Sequence, residues 1–240
     1  MTCRRCNNSA GSDLESHLVR RVRVDAGKAP SSVRMQVGGV VQRGGIYLSP
    51  DEGEPIRIDV VDKQSDPRQA SEMERLLKEG VHEVHLNVNS RYVVIRSVVA
   101  LVRAAYLLMF RAFGYRYLFD PSAQVVRDQI ASPLDETDVL KGVAWRVVHP
   151  SVPSETALAI ATAPDKRNSF MALLRLDQDP DHMAAVTLPP PGADGAEFFR
   201  TMAASGAERT YGLSILPMWG GPGFIPLAEL WHHVENGGLA

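Results

Sequence analysis

Val33-Arg34-Met35-Gln36-Val37-Gly38-Gly39-Val40-Val41-Gln42-Arg43-Gly44-Gly45-Ile46-Tyr47-Leu48 is the stretch from which the fold class follows. Its first five residues place apolar side chains at every second position, the period of a strand that buries one face and wets the other. Glycine pairs and Pro50-Asp51 interrupt the pattern, and Ile56, Ile58 and Val60 resume it. The spacing predicts strands of a meander over residues 33–61. Gly38-Gly39 and Gly44-Gly45 are expected to allow turns rather than to cradle phosphate, because no G-x-G-x-x-G or Walker pattern accompanies them.

Upstream, Ser12 with Glu15 forms a capping-box pattern, and Leu14, Leu18, Val19 and Val22 recur at helical spacing, which predicts a helix from about 12 to 23. Downstream, Pro67 to Glu79 reads as a helix stopped by Gly80, and Val84, Leu86 and Val88 then alternate with polar residues as a strand does. A long apolar helix follows over 94–113, ended by Gly114. Pro121 opens another, carrying Val125, Val126 and Ile130, and Pro133 closes it. Short strands return at Val143 to His149, Ala157 to Ala163, Phe170 to Leu176 and Met183 to Leu188. Pro189-Pro190-Pro191-Gly192 is a surface connection, followed by a helix near Glu197 to Ala204, a strand near Tyr211 to Leu216 and a Gly-rich and Pro-rich stretch from Trp219 to Pro226. There is no repeat and no regular strand-helix alternation. The order is that of a mixed, mainly antiparallel α+β fold.

Composition is that of an ordinary globular chain, with 45% hydrophobic and 22% charged residues in 240. A net charge of −2 excludes a protein that is basic throughout, yet residues 1–28 carry Arg4, Arg5, Arg20, Arg21, Arg23 and Lys28 against Asp13, Glu15 and Asp25. The segment Tyr92 to Phe113 is interrupted by Arg96, Arg103 and Arg111. Each such charge costs about 2.5 to 3.5 kcal/mol near a bilayer centre, so this segment is expected to be a buried helix of a non-membrane protein, with the three arginines on its wet side. Two cysteines and no signal peptide point to a cytoplasmic chain without disulfides.

The cysteines carry the chemistry. Cys3-Arg4-Arg5-Cys6-Asn7-Asn8 has the two-residue spacer that lets both thiolates face one tetrahedral Zn²⁺, but a closed site needs four ligands and residues 1–16 hold no histidine. A C-x-x-C also serves as a redox pair, although that use expects a strand before it and a helix starting at the first cysteine. Other pairs are weaker candidates. His82 and His85 stand at an odd offset on a strand, which sends them to opposite faces, and His232-His233 have no acidic or cysteine cluster nearby.

The fuller string from Cys3 to Leu18, C-R-R-C-N-N-S-A-G-S-D-L-E-S-H-L, resembles the closing part of the HNH endonuclease module. Ala104 to Phe110, Phe113 to Tyr117 and Val126 to Ile130 resemble a helical stretch found downstream in some HNH proteins. The resemblance implies a remnant of a ββα-metal zinc knuckle and helix over 1–28, with an α+β companion domain over 29–240 that could divide near 135. It implies that Cys3 and Cys6 match the second structural zinc pair and that Asn7 matches a position at the catalytic metal. It also implies that Arg4, Arg5, Arg20, Arg21 and Arg23 lie near a DNA-facing helix. In the family a histidine activates water while a divalent cation such as Mg²⁺ stabilises the leaving oxygen. That histidine and the first cysteine pair precede the portion matched here, so no catalytic residue is assigned. The expectation is a chain inactive as it stands, either the end of a longer nuclease or a remnant. The alternative is a non-enzymatic module that binds nucleic acid or protein and retains a vestigial cysteine pair. The sequence assigns neither a target nor an oligomeric state.

Overall fold

Val37 pairs with Val40, which leaves Gly38 and Gly39 as a two-residue link between β1 (Ser31–Val37) and β2 (Val40–Tyr47). Gly39 has φ +86°, a left-handed conformation that glycine adopts without steric cost and that such short hairpin links require. The computed structural model describes residues 11–37, 39–47, 57–59, 67–80, 85–89, 93–145, 156–162, 168–176, 183–204 and 212–216. Two units, 1–94 and 95–240, divide the chain at the start of the longest helix among the described residues. Position 28 lies inside the first unit and position 135 inside the second.

The first unit carries a four-stranded antiparallel sheet in the order β3-β2-β1-β4, with β3 at Arg57–Asp59 and β4 at His85–Asn89. Val33, Met35 and Ile46 form its buried cluster, joined by Val40 and by Leu76 from helix α2 (Pro67–Lys78). By the register all four sheet residues fall on one face, as the period of two demands. Gly44 and Gly45 do not turn the chain, contrary to the sequence expectation. They sit within β2 opposite Val33 and Ser32. A β carbon at Gly45 would come 2.7 Å from Pro30 Cβ, so glycine is there to admit the proline over the strand.

Before the sheet, a π-helical turn at Gly11–Glu15 leads into α1 (Ser16–Asp25). The α-helix therefore begins four residues after Ser12, and Glu15 stands at its N-cap position without a side-chain cap bond. Leu14, Val22 and Val24 are buried. The helix closes at its C-terminal end by Arg23 O accepting from Lys28 N and Ala29 N, with Gly27 at φ 65°.

The second unit opens with α3 (Val94–Phe113), whose bounds match the sequence expectation. Gly114, at φ 65°, stops it and starts the single-turn α4 (Tyr115–Leu118), which the pattern reading did not separate from its surroundings. A 3-10 turn at Pro121–Ala123, capped by Asp120, feeds α5 (Gln124–Ala131). A second 3-10 turn at Asp138–Gly142 leads into β5 (Val143–Trp145). β6 (Ala157–Thr162), β7 (Asn168–Arg175), β8 (Met183–Leu188) and β9 (Gly212–Leu216) complete a five-stranded antiparallel sheet, ordered β5-β8-β7-β6-β9. The α+β class read from the sequence is the one observed.

β7 and β8 of this second sheet are covered on both faces. All six residues of β8 are buried. Phe113 and Tyr117 close on Phe170 of β7 at ring centroid distances of 5.1 and 5.9 Å. The Tyr117 hydroxyl, fully buried, donates to Pro189 O at 3.1 Å. Helix α6 (Gly195–Ala204) packs so tightly on the Pro121–Ala123 turn that a β carbon at Gly195 would lie 2.1 Å from Ser122 O. The connection after α5 is held by buried Gln129, which donates to Ser132 O and Asp135 O and accepts from the Thr137 hydroxyl.

Arg103 corrects the reading of α3 as having three arginines on a wet side. It is 7% exposed. Arg111 is exposed, and Arg96 is half-buried with an Nε that finds no hydrogen-bond partner among the described residues. Arg96 and Arg103 are seven residues apart and share a helix face, and that face is one the helix buries.

Candidate functional site

The open face of the first sheet is built by the residues that the core leaves out. In β1, buried Val33 and Met35 alternate with exposed Arg34 and Gln36. The hairpin register puts Arg34 directly opposite Arg43, also exposed. β4 adds His85 opposite Gln36, Asn87 opposite Arg34 and Asn89 opposite Ser32, all three exposed. On β3, Arg57 stands opposite Tyr47 and Asp59 opposite Gly45.

Directly opposed residues on an antiparallel pair have β carbons about 5 Å apart, so like charges there repel. Arg34 faces a second arginine on one side and an uncharged amide on the other. Helix α2 shows the contrasting arrangement. Its Arg75 lies 2.6 Å from Glu72 and 2.5 Å from Glu79, and Lys78 lies 2.8 Å from Glu74. Hydrogen bonding to these cations holds Glu72 and Glu74 below the ordinary carboxylate value, and hydrogen bonding to Glu72 and Glu79 holds Arg75 above its own. The helix balances its charge within one turn, and the open sheet face brings Arg34 and Arg43 together among the amides of Gln36, Asn87 and Asn89, with Asp59 at a register position on the same side. Planar guanidinium forks match phosphate oxygens in pairs, and side-chain amides add donors beside them.

The residues singled out in the sequence are distributed differently. Cys3, Arg4, Arg5, Cys6 and Asn7 lie outside the described residues, as do His82, His232 and His233. Arg20 turns inward: its Nη2 donates to Pro30 O at 3.0 Å and its Nε is buried. Arg21 lies 3.7 Å from Asp25 one turn on. Arg23 is exposed. The three thus divide between bracing the helix-to-strand corner, pairing along the helix and facing solvent. His17, the first histidine of the chain, accepts a hydrogen bond at Nδ1 from Val93 N at 3.1 Å. Among the described residues no group of three or more His, Cys, Asp or Glu could hold a metal ion. No helix of the described residues is long and apolar enough to cross a membrane.

Arg34 and Arg43 were not among the sequence candidates, although the signal for them was present. A two-residue link at Gly38-Gly39 fixes every pairing in the hairpin, Arg34 with Arg43 included. Reading both glycine pairs as turns concealed it. Comparison with known proteins gives no match: no family model, no curated protein and no solved structure is similar to the chain.

Proposed function

We propose that this chain is a cytoplasmic DNA-binding protein of HNH nuclease kinship, which uses its first unit to contact the phosphate backbone. The observation that carries the reading is the cross-strand pair Arg34–Arg43 on an exposed face rich in amide donors. Its support is that the same unit, 1–94, contains the Cys3–Asn7 string and a helical segment beginning at Gly11, soon after that string. In this reading Cys3 and Cys6 supply two thiolates to a structural Zn²⁺. Arg4, Arg5 and Arg23 add to the contact with DNA, and Asn7 lies toward the nuclease metal position. Hydrolysis belongs to a form that also carries the family's histidine hairpin. The residues here support binding.

Fluorescence anisotropy with duplex DNA over a range of salt concentrations tests it. Each phosphate contact contributes about −0.9 to the slope of log affinity against log salt, so Arg34→Ala with Arg43→Ala flattens that slope by about two. Arg75→Ala, on the charge-balanced helix, leaves it unchanged. An unaltered slope and affinity in the double variant would sink the reading. Zinc measured in the purified chain separates a metal-holding knuckle from a vestigial pair, since Cys3→Ser with Cys6→Ser removes bound zinc only in the first case.

A further inference from the structure

We propose that the corner between α3 and α4 is a stacking platform for single-stranded nucleic acid, with Phe119 as its outermost ring. All of its residues belong to the second unit, so it stands independently of the sheet-face reading above.

Tyr115 and Phe119 are four residues apart on a single helical turn, which brings their rings to 5.7 Å and within 11° of parallel. Phe110 meets Tyr115 edge-on at 5.2 Å and backs the stack. Tyr115 is 53% exposed and Phe119 72%. An apolar ring so open to water, already stacked on one neighbour, offers a flat surface on which a further π-system lies at little geometric cost.

The charge around the stack says what kind of π-system fits. Residues 104–119 contain Arg111 and Arg116 and no acidic residue. Arg111 and Arg116, each next in sequence to a ring of the stack, are exposed. Arg127 donates to Leu118 O and Asp120 O, which adds a guanidinium at the end of α4 beside Phe119. Asp120, the nearest acid in sequence, has its Oδ1 engaged by Ser122 N at 2.9 Å and Gly192 N at 3.1 Å. Stacked aromatics among arginines are the two elements by which proteins hold unpaired nucleotides: the base lies on the ring and the backbone follows the cations. A duplex keeps its base faces covered and has nothing to lay on Phe119.

The test uses the full chain and a short fluorescein-labelled oligothymidine, followed by anisotropy. Phe119→Ala weakens binding about tenfold, the loss of one base-aromatic stack, while Phe119→Tyr retains it. Arg116→Ala flattens the salt dependence by about 0.7, the value for one phosphate of a single strand. Arg34→Ala with Arg43→Ala keeps the Phe119-dependent component, so that failure of the sheet-face reading is distinguishable from failure of this one. Because Phe119 and Arg116 are exposed, the variants melt like the parent, which confirms that the fold is intact. Oligothymidine binding that is absent in the parent, or equal in the parent and both alanine variants, overturns the proposal. If Phe119→Ala instead abolishes self-association in sedimentation while oligonucleotide binding stays the same, the rings serve a second copy of the chain and the proposal falls.

Discussion

The described residues form two antiparallel sheets that handle their second face in opposite ways. The sheet of the first unit buries Val33, Met35 and Ile46 on one side and gives the other to Arg34, Gln36, Arg43, His85, Asn87 and Asn89. The sheet of the second unit buries every residue of β8 and receives Phe113 and Tyr117 on its central strand. Antiparallel sheets commonly leave one face wet, so the first is the expected case and the second needs covering elements of its own. The first sheet therefore has a face available for chemistry. In the second unit, exposed aromatic and cationic groups stand at the corner of the covering helices. Stability should accordingly be concentrated in the second unit's core.

The largest expected effect breaks the second core. Phe170→Ala removes the ring on which Phe113 and Tyr117 converge and should cost about 4 kcal/mol of unfolding free energy in chemical denaturation. A loss below about 1 kcal/mol would mean that the two-sided covering does not stabilise that sheet. In the first unit the corresponding vulnerable point is a close approach. Gly45→Ala places a β carbon 2.7 Å from Pro30 Cβ and should cost about 2 kcal/mol, with the strand or the Pro30 corner giving way.

A third test uses pH. Burial, followed by the nearby Asp120 and Tyr106, raises the Tyr117 hydroxyl well above the ordinary tyrosine value of 10. The folded chain thus holds that proton where the unfolded chain releases it. The contribution is complete below pH 10 and is lost as pH rises above it, since the unfolded state then binds fewer protons. Tyr117→Phe should abolish this alkaline loss and cost about 1 kcal/mol at neutral pH, because Pro189 O loses its donor. The change is read from denaturation midpoints across the alkaline range. An alkaline slope that survives the substitution would assign the effect to another group.

The smallest effect has the opposite sign. Arg34→Thr relieves the like-charge pair with Arg43 and places a β-branched residue in β1, so it should stabilise the chain by about 0.5 kcal/mol while weakening DNA binding. A melting temperature and an anisotropy titration on the same preparation measure both. If the substitution destabilises the chain, Arg34 serves the fold rather than a ligand.

Much of this architecture was legible in the sequence. The bounds of α3 follow from its unbroken apolar recurrence and from Gly114. Those of β8 follow from a short apolar run ending at a proline cluster, and the second strand region matches to within a few residues. Arg103 was misread because periodicity tells which residues share a helix face but not how many faces the surrounding protein covers. α4 was missed because a single turn has too few residues to show a period.

The candidate surfaces were less legible than the elements that hold them. Tyr115 and Phe119 are visibly four apart, yet their stacking depends on a helical turn beginning after the left-handed Gly114. Arg34 and Arg43 lie nine positions apart, and they meet only because Gly38-Gly39, and not Gly44-Gly45, turns the chain. By itself the sequence determined the element types, the α+β class and the polar alternation of β1, because these follow from short-range backbone preference and from the period of each element. Only the tertiary structure decided which glycine pair turns the chain and so which arginines oppose each other, which glycine admits Pro30 and which sheet keeps an open face. Those depend on a choice between two similar glycine pairs and on coverage by segments distant in the chain, and no local pattern decides either.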